Sequence, residues 1–155
     1  MSDTTARLAL PLLAAGQAQK EVTHNEALAT LDLAVAPSVV TVGLSVPPED
    51  PEAGACWIVA AGGSGAWTGA DEAIAGWTGG GWRFVRPRLG MLAWVEDAGR
   101  LARYADSGWI VGAPLGDPQP PIDLPTGGTT IDSEARAALA AILTALQELG
   151  LTTPT

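Results

Sequence analysis

Met91-Leu92-Ala93-Trp94-Val95-Glu96-Asp97-Ala98-Gly99-Arg100-Leu101-Ala102-Arg103-Tyr104-Ala105-Asp106-Ser107-Gly108-Trp109-Ile110-Val111 reads as three strands joined by two tight turns. Glu96-Asp97-Ala98-Gly99-Arg100 has hairpin-turn composition and Asp106-Ser107-Gly108 makes the next turn, so 91–95, 101–104 and 109–111 form a meander. Upstream, Trp82-Arg83-Phe84-Val85-Arg86 puts Trp82 and Phe84 on one strand face and Arg83 on the other. Ala55-Cys56-Trp57-Ile58-Val59-Ala60 is a further strand, bounded by Gly54 and Gly62-Gly63. The Gly-rich stretch from there to Gly81 reads as loop with at most short pairings. The fold class that follows is α+β: a small Trp-rich antiparallel β-sheet or half-open barrel with helical attachments.

All six tryptophans, Trp57, Trp67, Trp77, Trp82, Trp94 and Trp109, lie in this block of 54–112. A small sheet with one Phe must fill its core with something, so Trp57, Trp82, Trp94 and Trp109 are assigned to the core. Trp67 and Trp77 sit in Gly-Ser-Thr loops and are the candidates for an exposed interface or ligand surface. Arg83 and Arg86 are expected to cover strand surface or to meet an acidic partner. Cys56 is expected to be a small core residue.

Outside the block the chain is acidic, with a formal net charge of −9. Capture of nucleic acid needs a basic surface, and the only cluster of arginines is interrupted by Glu96 and Asp97, so nucleic-acid binding is not expected. One cysteine and one histidine supply neither a disulfide framework nor a metal set, so no metal or cofactor is expected. No apolar run reaches the roughly 20 residues that span a bilayer, and Met-Ser-Asp-Thr-Thr does not open a signal peptide. The expectation is no membrane insertion and synthesis in the bacterial cytoplasm.

Four segments follow: an arm at 1–15, a helix plus Trp-rich β domain at 16–112, a Pro/Gly-rich linker at 113–130 and a C-terminal helix at 131–155. The arm, broken by Pro11, is an apolar hook packed either on its own domain or on a neighbouring subunit. The first helix runs over about 17–35, with Leu28, Leu31 and Val35 on one face. Up the same face come His24, Glu21 and Gln17, with Asn25 beside them. That polar half is a solvated helix end, a polar network at a subunit or domain contact, or a site where His24 works with Glu21 or Glu26. Catalysis would also need a nucleophile and an oxyanion site, which the sequence does not signal.

The linker holds Pro114, Pro118, Pro120, Pro121 and Pro125; extended at about 3.1 Å per residue it reaches on the order of 60 Å. The last helix, about 133–149, has Asp132 or Ser133 as N-cap and Gly150 as terminator. Leu139, Ile142, Leu143, Leu146 and Leu149 make an apolar face that must dock, within the domain or on another subunit. The interface candidates are therefore Gln17, Glu21, His24, Asn25, Trp67, Trp77, Leu139, Ile142, Leu143 and Leu146. The acid pairs Asp71-Glu72 and Glu96-Asp97 look like turn charges and not like the spaced carboxylates of a glycan hydrolase, so no enzyme activity is expected.

The run from Leu10-Pro11-Leu12-Leu13 through Gly16-Gln17-Ala18-Gln19-Lys20-Glu21-Val22-Thr23-His24-Asn25-Glu26-Ala27-Leu28 to Leu31-Asp32 resembles the opening signature of a family of phage, prophage and gene transfer agent proteins of alphaproteobacteria. Pro47-Pro48, Gly54, Trp57-Ile58-Val59, Gly65-Ala66-Trp67, the Gly-Trp pairs and Gly90 extend it over about 10–112. Asp132-Ser133-Glu134-Ala135-Arg136 with Leu149-Gly150-Leu151 is similar to the short helix that closes many phage fibre-type proteins. The resemblance implies a virion structural protein of the head-spike-base kind. It would be a homo-oligomer, a pentamer on a fivefold vertex, between a capsid protein and a spike fibre protein. The alternative is a fibre module that binds host cell-surface polysaccharide through Trp67 or Trp77.

Overall fold

The computed structural model describes residues 4–14, 16, 20–112, 120–127, 129, 132–149 and 151–153. They fall into two compact units, Met1–Val111 and Gly112–Thr155. In the first unit, Pro37 separates helix from sheet. Helix α1, Lys20–Ala34, ends where Ala36 takes a left-handed φ of 43°, and the chain then leaves extended into β1, Ser38–Val39, and β2, Val42–Leu44. Six more strands follow: β3 (Cys56–Val59), β4 (Ile74–Thr78), β5 (Gly81–Val85), β6 (Leu92–Val95), β7 (Arg100–Ala105) and β8 (Gly108–Val111).

The strands make two four-stranded sheets, β1-β6-β7-β8 and β2-β3-β4-β5. The β1–β6 and β2–β3 pairs are parallel and the others antiparallel, including the β6-β7-β8 meander. Val40 and Thr41 carry the chain from one sheet to the other: the Val40 carbonyl accepts from Asp97 N at 3.3 Å, whereas Val40 N donates to Cys56 O at 2.8 Å and the Thr41 carbonyl accepts from Ile58 N at 3.2 Å. The result is a half-open α+β arrangement and not a closed barrel.

One core cluster gathers residues of both sheets and α1: Leu33, Val39, Cys56, Ile58, Ile74, Ala93, Val95 and Ala102. Because successive strand residues point to opposite faces, Trp57 and Val59 leave β3 on its other side. There they join Trp67, Ala70, Ala73 and Ala75, with Trp77 and Trp82 packed against them. Trp82 meets Trp57, Trp67 and Trp77 at ring-centroid distances of 5.6, 5.2 and 5.1 Å, all edge-on, the orientation that sets a positive ring edge against a negative ring face.

Several expectations change. The stretch read as loop contains β4, a central strand paired on both sides. Its short Ala-Gly sequence hides it, and Gly76 is required because a Cβ there would lie 2.3 Å from Leu33 Cδ2 of α1. Trp67, on a single 3-10 turn at Gly65–Trp67, is 0% exposed, and Trp94, assigned to the core, is 44% exposed. Trp67 closes the second cluster from its loop, while Trp94 falls on the outer side of β6, where Ala93 and Val95 take the inner positions. On α1 the buried residues are Asp32 and Leu33, with Leu31 and Val35 about half exposed. The inward stripe is Asn25, Leu28, Ala29, Asp32 and Leu33, rotated because a buried carboxylate belongs to it.

In the second unit α2 spans Ser133–Glu148 with Asp132 as its N-cap, the carboxylate accepting from Ala135 N at 2.9 Å. Residues 120–127 lie along this helix and do not run straight on: Arg136 donates to the carbonyls of Pro125, at 2.8 Å, and Gly127, and Ile122 and Leu124 face Ala140, Leu143, Thr144 and Gln147. A guanidinium with free donors captures exposed carbonyls that a Pro-rich segment leaves unpaired. Residues 113–119 of the linker and Gly150 lie outside the described residues.

Candidate functional site

The polar face of α1 forms a clamp. Asp32, 3% exposed, accepts from Thr5 Oγ1 at 2.8 Å, Leu8 N at 2.7 Å and Arg7 N at 3.0 Å. Arg7 returns to the helix end, donating to the carbonyls of Asp32 and, at 2.9 Å, Ala36. The Asn25 side-chain amide closes a two-bond ring on Leu13, accepting from its N at 2.9 Å and donating to its O at 3.0 Å. The described arm therefore packs on its own unit. A carboxylate with three donors aimed at it is satisfied in place, which suits a structural anchor.

The other candidates on this face separate. Glu21 Oε1 accepts a 3.4 Å bond from Gly16 N, and its buried Oε2 has no partner among the described residues. His24 is exposed, and Gln17 lies outside the described residues. Glu26 instead faces β5, where Arg83 holds it at two points, 2.7 and 2.6 Å, and that hydrogen bonding keeps the Glu26 carboxyl below its ordinary range. Of the four acids weighed for hydrolysis, three accept hydrogen bonds that tie chain segments together. Asp71 accepts from Gly63 N at 3.1 Å, Glu96 from Ser38 Oγ at 2.7 Å and Glu72 from Tyr104 Oη at 2.7 Å. The Glu72 bond raises the Tyr104 hydroxyl above its usual range, because it favours the protonated phenol. Trp109 Nε1 donates to Glu72 O at 2.8 Å, so this turn ties β7 and β8 to the approach to β4.

Trp77 is half-buried against Trp82, and Trp67, being enclosed, offers no surface to a ligand. In the second unit Leu139 and Ile142 are exposed, and Leu143 and Leu146 are half-buried. Burial moves the Cys56 thiol up to about 11, which keeps it a protonated core residue.

The surface that sequence reasoning missed is the outer side of β6-β7-β8. Register sets Leu92 opposite Arg103, Arg103 opposite Ile110 and Trp94 opposite Leu101. Leu92, Trp94, Leu101 and Ile110 are 39, 44, 42 and 38% exposed, so one continuous face is apolar with a guanidinium at its centre. Arg103 Nε is buried there with no hydrogen-bond partner among the described residues. The signal was present in the alternation of Leu92 with Trp94 and Leu101 with Arg103, but both sides of these strands carry apolar residues, which conceals which side faces in.

Among the described residues no three His, Cys, Asp or Glu gather to hold a metal ion, and no helix is long and apolar enough to cross a membrane. No curated protein is found to match the chain. A family model does match, over residues 24–110, from the middle of the α1 clamp to the outer strand β8. The chain thus belongs to a family described as protein of unknown function, DUF2793.

Proposed function

We propose that this chain is a virion structural protein of a phage-like gene transfer agent. It forms a pentameric base at a capsid vertex and joins the capsid to a head-spike fibre used in host-cell attachment. The observation that carries this reading is the outer face of β6-β7-β8. One-sided sheets ordinarily present polar residues to water, and a contiguous apolar face marks a surface made for another protein. Asp71, Glu72 and Glu96, by contrast, are engaged in hydrogen bonds that tie segments of the fold together. The signature residues Asn25 and Asp32 do the same for the arm, so that segment supports rigidity and not turnover.

Phage-like particles purified from the encoding bacterium are expected to contain the chain, and deleting its gene should leave particles without head spikes that adsorb poorly to cells. Particles that lack the chain, or spikes that survive the deletion, would overturn the reading. A second reading, adhesion to cell-surface polysaccharide, draws on the exposed Trp94 and the half-exposed Trp77. Leu92 and Leu101 around Trp94 favour protein, since a sugar site sets polar groups beside its stacking ring. A tryptophan fluorescence shift with host polysaccharide, lost in Trp94→Ala, would favour the second reading.

A further inference from the structure

The outer side of β6-β7-β8 is apolar around one cation and has no anion of its own. Leu92, Arg103 and Ile110 stand in one cross-strand row, and Trp94 lies opposite Leu101 in another. None of the residues of β6, β7 and β8 is acidic. Glu96, two residues beyond Trp94, is engaged by Ser38 Oγ at 2.7 Å. Packed on its own like about a twofold axis, this face would set guanidinium towards guanidinium and leave both unpaired. It fits an unlike surface that brings carboxylates.

A surface of that chemistry lies on the same unit, in the connection from β2 to β3. Leu44 and Val46 are exposed there, followed by the exposed Glu49, Asp50 and Glu52. The three carboxylates hold no hydrogen bond or ion pair among the described residues. Pro47, Pro48 and Pro51 stiffen the stretch, and both its ends are fixed. Ser45 O accepts from Ser64 N at 2.8 Å and from Ser64 Oγ at 3.2 Å, and Glu52 O accepts from Ala55 N at 3.1 Å. A segment held in this way has little freedom left to lose on docking. Asp97 and Asp106 also carry unengaged carboxylates, but each sits singly in a turn of the meander with no large exposed apolar side chain next to it.

We propose that the outer face of β6-β7-β8 takes the β2–β3 connection of a neighbouring copy of this chain. The acids of that connection meet Arg103, and Leu44 and Val46 pack among the apolar residues around it. Each half supplies what the other lacks: the buried Nε of Arg103 gains an acceptor in an apolar setting, and the carboxylates gain a cation. The contact is head-to-tail, so every copy offers both halves and copies add in series until a ring closes. The inference deepens the adaptor reading and rests on it only for why copies gather at one vertex.

Sedimentation equilibrium of the full chain at micromolar concentration should give a multiple of the protomer mass. Arg103→Glu, and separately the triple variant Glu49→Lys, Asp50→Lys and Glu52→Lys, should each weaken association by about tenfold or more. An equal mixture of the two variants should recover it, because each altered half then meets an opposite charge on the other chain. That recovery also separates a lost contact from a lost fold. Trp94, the exposed one of the six tryptophans, supplies a second readout. Its emission should move to shorter wavelength as the full chain assembles, and Trp94→Phe should associate without that shift.

A full chain at protomer mass across the micromolar range would overturn the proposal. So would association that ignores both charge reversals, variants that fail to recover on mixing, or assembly with no change in Trp94 emission. Any of these would leave the adaptor reading standing if the particles contain the chain. Particles lacking the chain would remove that reading and leave the contact between copies intact.

Discussion

Asp32 shows how one buried side chain can organise a terminus. Its carboxylate takes the Thr5 hydroxyl and the Arg7 and Leu8 amides, three donors from one short stretch of the arm. Asn at this position would turn one acceptor oxygen into a donor facing donors. Hydrogen bonds to a charged acceptor contribute about 1.5–3 kcal/mol, and a stranded buried donor costs as much again. Asp32→Asn is therefore expected to lower stability by about 3 kcal/mol in urea unfolding and to expose the arm to proteolysis near residues 5–10. A loss under about 1 kcal/mol would show that the arm is carried by its apolar contacts instead. The same logic separates Asp32 from His24, which lies on the helix but in solvent. Identity alone did not distinguish them, because the partners of Asp32 lie more than 20 residues away in an arm without periodicity.

At the scale of elements, the seat of α1 on the sheet is a contact between Leu33 and the missing side chain of Gly76. A methyl group at Gly76 would come within 2.3 and 2.7 Å of the two Leu33 Cδ atoms, which are enclosed and have nowhere to turn. Gly76→Ala is expected to cost about 2 kcal/mol as overpacking, and Leu33→Ala about 3 kcal/mol as a cavity. Together they should cost less than their sum, by about 1 kcal/mol or more, since each opens the space the other needs. Strict additivity in denaturant unfolding would mean that the two do not share a contact. This pair also explains what the sequence disclosed and what it did not. The β6-β7-β8 meander was legible because its turns carry Asp, Ser and Gly at the right places and its strands alternate. The β4 strand was not, because a central strand buried on both sides loses alternation and here also needs a glycine opposite a helix. Trp67 failed for a related reason: a loop of small polar residues reads as exposed, yet its one large residue is what the neighbouring cluster lacks.

In the first unit taken as a whole, the half-open arrangement decides which sheet surfaces its own core leaves uncovered. Sheet β2-β3-β4-β5 is covered on one side by α1 and the shared core and on the other by the Trp67 loop, whereas β6-β7-β8 has only its inner side in the core. Its outer side was not legible as a site, since the same Leu, Trp and Ile would have served equally as core. Arg103 separates the two roles. Its Nε is buried without a hydrogen-bond partner among the described residues, which costs about 1–3 kcal/mol, whereas a buried polar group that serves only the fold is ordinarily paired. A partner that lays a carboxylate on this face would remove that cost and gain a charge-assisted bond in an apolar ring, the setting of a binding hot spot. Arg103→Met keeps the stem and removes the unpaired nitrogen, so the isolated protein should be no less stable and should gain up to about 1 kcal/mol. Incorporation of the same variant into particles, read by quantitative mass spectrometry, should fall at least tenfold. If stability dropped instead and incorporation stayed level, Arg103 would be a strand residue of the fold, and the partner would have to be sought on another surface.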